Sequence, residues 1–198
     1  VQHNWLQSVY IKSSHPRLRS DQDAWDLLKQ LAPGKRGLDA GCGSGARDVF
    51  LLWSDNYDIV GLDAVEENIS ETRRLHPEIA DRVFVADLQQ PIPFEAASFD
   101  FVACNAVIQH IPPGSVQEIV LPELARVLRP EGVLQLMFKN GTGLTTVFDK
   151  DYGVDRTFQL YDHNNVMKVL EGQGLVLVEA ESPEELGGFL FFTDPKRV

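Results

Sequence analysis

The sequence predicts an α/β fold in which helices alternate with the strands of a mostly parallel sheet. Three observations carry that prediction. Short apolar runs of strand length alternate with helix-length amphipathic segments from residue 37 onward. Gly41, Gly43 and Gly45 form a glycine-rich turn between the first strand and the first helix of that alternation. Asp39, Asp63 and Asp87, each 24 residues from the next, fall at the ends of three successive strands. Strands joined through helices in this way build right-handed βαβ units, whose strands run parallel.

In chain order, residues 1–19 have no clear period and read as a cover carrying Trp5 and Tyr10. Ser20-Asp21-Gln22-Asp23 resembles a capping box with Asp in place of Glu, and Ala24, Leu27, Leu28 and Leu31 recur at helical spacing until Pro33-Gly34. Residues 37–40, 57–62, 82–86, 99–104 and 133–138 read as strands. The segments 46–54, 66–75, 115–128 and 162–173 read as helices, stopped by Pro77, Pro130 and Gly174 where those follow. Residues 88–98 are a loop with two prolines, and residues 140–157 a long polar loop. The last strands, 175–178 and 189–192, are joined by residues 179–188 without a crossover helix, which makes the final strand antiparallel to its neighbour.

A chain of 198 residues fits one domain, with residues 1–34 as cover and first helix and 35–198 as core. The apolar fraction of 43% and charged fraction of 24% are those of a soluble globule. No apolar run approaches the roughly 18 residues of a membrane span, and the polar start of the chain, which begins with Val, does not read as a secretory signal. Cys42 and Cys104 have neither metal nor disulfide spacing and read as buried thiols of a cytoplasmic protein. The net charge of −11 disfavours nucleic acid as a partner, the clusters Arg73-Arg74 and Lys12 to Arg19 being small. That leaves a small-molecule substrate, no membrane, and a monomer or homodimer.

Ligands of open α/β sheets bind beyond the carboxyl ends of the strands. Asp39, Asp63, Asp87 and Asn105 stand at those ends. An acid after the second strand suits a ribose diol, and one after the third can accept from an exocyclic amine. An acid beside the glycine turn suits a ligand with positive charge nearby. Taken alone, Gly41, Gly43 and Ala46 also fit a dinucleotide fingerprint, or a tight turn with no ligand. Asp63 also suits a helix cap and Asp87 a turn.

Together these segments resemble a known family. Asp39-x-Gly41-x-Gly43-x-Gly45, Val60-Gly61-Leu62-Asp63, Val85-Ala86-Asp87-Leu88, Ser98-Phe99-Asp100-Phe101-Val102 and Leu124-Ala125-Arg126-Val127-Leu128-Arg129-Pro130-Glu131-Gly132 are similar to the motifs of class I S-adenosylmethionine-dependent methyltransferases acting on small molecules. The resemblance spans residues 37–193. It implies a three-layer Rossmann-like methyltransferase fold, a seven-stranded mostly parallel sheet of order 3-2-1-4-5-7-6 with the last strand antiparallel. It implies S-adenosyl-L-methionine as cofactor, S-adenosyl-L-homocysteine as product, and in-line displacement of the methyl group. Gly41, Gly43 and Gly45, with Cys42 among them, would carry the methionine portion against backbone. Asp39 would orient the ammonium group, Asp63 would bind the ribose hydroxyls, Asp87 with the Leu88 amide would read the adenine, and Ala64 would be among the cofactor-binding residues. Asn105 would lie below the sulfonium. Ala64 replaces a frequent serine, and Glu131 a frequent glycine.

His110, after the fourth strand, is a candidate general base; the alternative is a loop histidine bonded to backbone. Trp5, Tyr10, Tyr152 and Tyr161 either line the substrate pocket or pack. Ile111-Pro112-Pro113 lacks the flanking residues of nucleobase amino-methyltransferases, no paired-glutamate loop follows the fourth strand, and Asn105 and Lys139-Asn140 occupy the places where carboxylates would hold Mg²⁺, so no metal is assigned. The segment 140–161, with Gly141, Gly143 and Gly153 as hinges and Phe148, Tyr152 and Phe158 as cover, reads as a mobile lid. Competing readings are a nicotinamide-dependent oxidoreductase, a non-catalytic S-adenosylmethionine-binding partner protein, and an aminopropyl transferase.

Overall fold

The glycine turn leaves β1 (Arg36–Ala40), and β1 lies inside the sheet, between β2 (Asp58–Asp63) and β4 (Phe99–Asn105), parallel to both. The computed structural model describes residues 21–149, 153–180 and 189–193. The cover expected over residues 1–19, with Trp5 and Tyr10, and the position of Tyr152 lie outside the described residues. Beyond β2 comes β3 (Val83–Val85), and beyond β4 come β5 (Leu128–Met137), then β9 (Phe189–Thr193) and β8 (Val176–Ala180). β9 runs antiparallel to both of its neighbours. Counting only the strands of this sheet, the order is the expected 3-2-1-4-5-7-6.

Helices cover both faces. On one lie α1 (Asp21–Leu31), α2 (Arg47–Ser54) and α3 (Glu66–Leu75), which pack Trp25, Leu28, Val49, Leu52 and Ile69 onto Ile59, Phe101 and Val133. Trp25 meets the Phe101 ring edge-on, 6.4 Å between centroids. On the other face α4 (Pro113–Val127) and α5 (His163–Gly172) pack Val116, Leu124 and Leu170 against Leu38, Leu62, Val102 and Leu134. Asp162 caps α5, its carboxylate accepting from the Asn165 amide.

α4 is not the uninterrupted helix expected over 115–128. Its first turn, Pro113–Ser115, runs into a π-helical segment, Val116–Val120, before the α-helix Leu121–Val127. Pro122 has no N–H to give and its ring crowds the carbonyl four residues back. The widened turn relieves that clash.

Residues 140–157 also depart from expectation. They are not an irregular loop: β6 (Leu144–Asp149) and β7 (Val154–Gln159) pair antiparallel in a separate two-stranded sheet. The hairpin is fastened at its base, where the Tyr161 amide donates to Lys139 O at 3.0 Å and the Tyr161 hydroxyl to Ile111 O at 2.5 Å. Phe158 is buried against the His110 ring, whereas Phe148 is exposed.

The 124–132 motif is structural. The Arg126 guanidinium donates to Ile92 O and Phe94 O, each at 2.9 Å, and Glu123 accepts the Ile92 amide at 2.7 Å. Together they pin the 88–98 loop to α4. Arg129 donates to Asp100 at 2.8 Å, and Asp100 accepts the Arg36 amide at 2.9 Å. Between the pairs Phe99↔Leu128 and Phe101↔Val133 the register shifts, and there Glu131 takes a φ of 61°. A side chain in this left-handed region costs about 1–2 kcal/mol, of which glycine returns part through the unfolded chain. Glu131→Gly is therefore expected to raise unfolding stability by about 1 kcal/mol, read as a higher denaturation midpoint at an unchanged m-value.

Candidate cofactor and active site

The turn after β1 is built by its own backbone. The Gly41 and Cys42 amides both donate to Leu62 O on β2, each at 2.8 Å. Gly41 has φ +97°, and a Cβ there would fall 2.2 Å from Val107 Cγ2, so only glycine fits. Gly43 also has positive φ, with open space where a Cβ would stand. Its amide donates to Asp63 Oδ2 at 3.0 Å. The end of the first strand and the end of the second are thereby one structure.

Asp63 consequently ties two elements together. Its Oδ1 accepts the Val65 amide at 2.9 Å and Asn68 Nδ2 at 3.0 Å, bracing the entry to α3 without capping it, while Oδ2 holds the glycine turn. A carboxylate has about four acceptor positions, so Oδ2 retains capacity toward the cleft. Asp87 likewise forms a turn, Oδ1 accepting the Gln89 amide at 2.9 Å.

A cleft of about 490 Å³ opens over these strand ends. Asp39, Gly41, Cys42, Gly43, Asp63, Ala64, Asp87, Leu88, Asn105 and His110 all line it. Gly45 does not; its φ of 81° shapes the turn. Sequence reasoning missed Arg47, Asp48, Asn68, Arg156, Trp25 and Gln135, which also line it. Gln135 did carry a signal, as a lone amide inside the apolar run of β5.

The electrostatics of the cleft are one-sided. Asp39 is buried, and burial, then the nearby Asp48 and Asp63 carboxylates, hold its pKa well above the usual carboxylate range. Arg47 opposes this but is itself paired with Asp48, Nε to Oδ1 at 3.0 Å. Asn105 Oδ1 is buried without a hydrogen-bond partner. A buried acceptor left unpaired is costly, and a cation in the cleft would satisfy it and relieve Asp39 together. Burial, then the Asp39 and Asp63 carboxylates, push the Cys42 thiol up, and burial, then Asp39, does so for Cys104, so neither is a thiolate nucleophile.

His110 and Arg156 bring one edge of a separate cluster to the cleft. Phe158 has Arg156 4.5 Å and Lys139 4.9 Å from its ring centroid, and the His110 ring rests on it at 5.4 Å. Arg156 pairs with Asp149 at 3.4 Å. Desolvation against this cluster, with the charges of Arg156 and Lys139, lowers the His110 pKa to about 4, although the residue as a whole is exposed. His110 is therefore a neutral imidazole at ordinary pH, able to accept a proton only weakly.

With this geometry the comparisons agree. The family described as "Methyltransferase domain" matches residues 38–136, half of the chain, and the chain belongs to that family. It is 34% identical over 136 residues to a trans-aconitate 2-methyltransferase of Azoarcus sp. (strain BH72), covering 67% of this chain and 49% of that protein. It is 31% identical over 108 residues to a ubiquinone biosynthesis O-methyltransferase of Neisseria meningitidis serogroup A, covering 51% of this chain and 42% of the relative. The chain thus spans about half the length of these relatives or less. Among solved structures, a TehB-like SAM-dependent methyltransferase of Corynebacterium glutamicum superposes with a TM-score of 0.67 at 23% identity, over 85% of each chain, a likeness of fold.

The site yields two expectations. Removing the Asp63 carboxylate, with the three bonds it accepts, should lower stability by about 1–3 kcal/mol as well as weaken ligand binding. Denaturant unfolding of Asp63→Ala would show it. For Asp39 the native pKa lies above the unfolded one, so stability from its protonated form is complete below the unfolded value and is lost as pH rises through the native value. Asp39→Asn should therefore be more stable than wild type at pH 7, on the order of 1 kcal/mol or more, with the gap closing as pH falls toward about 4. Urea titrations across pH would check both the sign and the window.

Proposed function

We propose that the chain is an S-adenosylmethionine-dependent methyltransferase for a small-molecule acceptor. The observation that carries the reading is the buried Asp39 carboxylate beside the unpartnered Asn105 Oδ1, at the mouth of a glycine turn that offers backbone to a ligand. That set fits a nucleoside ligand with cationic groups. Asp63 and Asp87 would hold its ribose and adenine, with Leu88 and Ala64 against the rings, and Asp39 and Asn105 its charged portion. When bound, the cofactor supplies a methyl group activated on a sulfonium.

The chain's own contribution is positioning in a water-poor cleft, which suffices for much of the rate gain in a displacement. Trp25, Val107 and Met137 give the β4–β5 half apolar walls. His110 at the rim is placed to accept a hydrogen bond from the acceptor, and its low pKa keeps it unprotonated above about pH 5. Arg156, which lines the cleft with it, favours an acceptor bearing a carboxylate. Trans-aconitate, the substrate named for one relative, is accordingly the first compound to try. The two free thiols favour a reducing compartment such as the cytoplasm.

A nicotinamide cofactor is less well served, because Asp39 and its neighbouring carboxylates would face a pyrophosphate. A thermal-shift and calorimetric panel tests the assignment. S-adenosylhomocysteine at 100 times its dissociation constant should stabilise the native state by about 2.7 kcal/mol, while NAD and NADP give no shift. Binding of NAD with no response to either adenosyl compound would overturn it. Methyl transfer to small carboxylates, followed by release of S-adenosylhomocysteine, then distinguishes an enzyme from a binding protein.

A further inference from the structure

Gln135 stands near the carboxyl end of β5 with no exposed surface, and both Oε1 and Nε2 lack hydrogen-bond partners. It nevertheless lines the cleft. An interior amide with donor and acceptor both unmet is rare, and it marks a site that something else completes. We infer that Gln135 binds the amino-acid end of the cofactor, donating through Nε2 to its carboxylate; this rests on the cofactor reading above.

The sheet register places it there. Asp39 pairs with Ala103, and Ala103 with Gln135, so the three stand in one row across β1, β4 and β5 on the face beneath α1. Neighbouring strands are about 4.8 Å apart, which separates the two ends of the row by about 10 Å. Ala103 between them contributes only a methyl group. Asn105, two residues further along β4, brings its unpartnered Oδ1 to the same face, and Trp25 of α1 lines the recess.

The polar groups form an ordered series: a carboxylate at one end, a carbonyl oxygen at the rim, an amide at the other end. An α-amino acid head presents the complement, an ammonium and then a carboxylate. Its nitrogen and carboxylate oxygen lie roughly 3 Å apart, and a hydrogen bond of about 2.9 Å at each end gives a span near 9 Å. The backbone positions of Asp39 and Gln135 stand about 10 Å apart, a separation of the same order. With the nucleoside end over Asp63 and Asp87, the amino-acid end is the part that reaches β4 and β5. The acceptor must meet the sulfonium on the side of the cleft lined by His110.

The test compares S-adenosylhomocysteine with 5′-methylthioadenosine, which keeps the nucleoside and sulfur but lacks the amino-acid end. By calorimetry, Gln135→Leu should lose roughly 10- to 100-fold in affinity for S-adenosylhomocysteine and stay within about twofold for methylthioadenosine. Gln135→Glu should lose at least as much, by setting a carboxylate against a carboxylate. In wild-type protein labelled with ¹⁵N, the Gln135 side-chain amide resonance should move with S-adenosylhomocysteine and not with methylthioadenosine, a readout that needs no variant to fold. Unchanged affinity for S-adenosylhomocysteine, an equal loss for both ligands, or a change confined to the acceptor KM would overturn the inference and leave the cofactor assignment standing. Wild-type protein that binds neither nucleoside would overturn both.

Discussion

The hydrogen bond from the Gly43 amide to the Asp63 carboxylate is the contact on which the site depends. It needs a turn that folds back over β2, and that turn exists because the Gly41 and Cys42 amides already share Leu62 O. Positive φ at Gly41 and Gly43 follows, and with it the open face over the cleft. The same contact draws Asp63 toward Asp39, so the repulsion felt by Asp39 is a consequence of how the turn is closed. Here geometry and electrostatics have one cause: a turn tight enough to expose backbone to a ligand must be tied by an acceptor, and the acceptor available is charged.

The rest of the fold holds that contact still. Glu123, Arg126 and Arg129 act far from the cleft, fixing the 88–98 loop and the register of β4 through backbone carbonyls and Asp100. Arg126 is satisfied by two carbonyls and a carboxylate at once, a geometry only the guanidinium fork can fill. Asp87 and Leu88 enter the cleft at the start of this loop, so a remote ion pair sets the position of groups that face a ligand.

Much of this was legible in the chain. The 24-residue spacing of Asp39, Asp63 and Asp87 placed three carboxylates at one sheet edge, and the structure brings them to one cleft. The parts that were not legible share a physical reason. In the hairpin, β6 is largely exposed on both faces, Leu144, Val147 and Phe148 included, so its burial has no period of two to write into the sequence. Only its Thr-Thr-Val-Phe composition marked a strand. The break in α4 follows from one proline inside an otherwise regular apolar pattern. The basic cluster around Phe158 joins His110, Lys139 and Arg156 from three separate segments, and no spacing along the chain records that meeting.

The two faces of the sheet also divide the work. The face under α4 and α5 carries the larger apolar cluster among the described residues, unbroken from Leu38 to Phe192. The face under α1 carries a smaller one, interrupted by Asp39, Asn105 and Gln135. Each of those groups is unfavourable in the ligand-free protein, through a raised pKa or an unmade hydrogen bond. Such groups persist where the surrounding structure is stable enough to hold them and a ligand recovers the loss on binding. Their concentration on one face, at the level of one register row and at the end of one glycine turn, is what makes the cleft a binding site. A gap in the core would be lined with apolar atoms on every side.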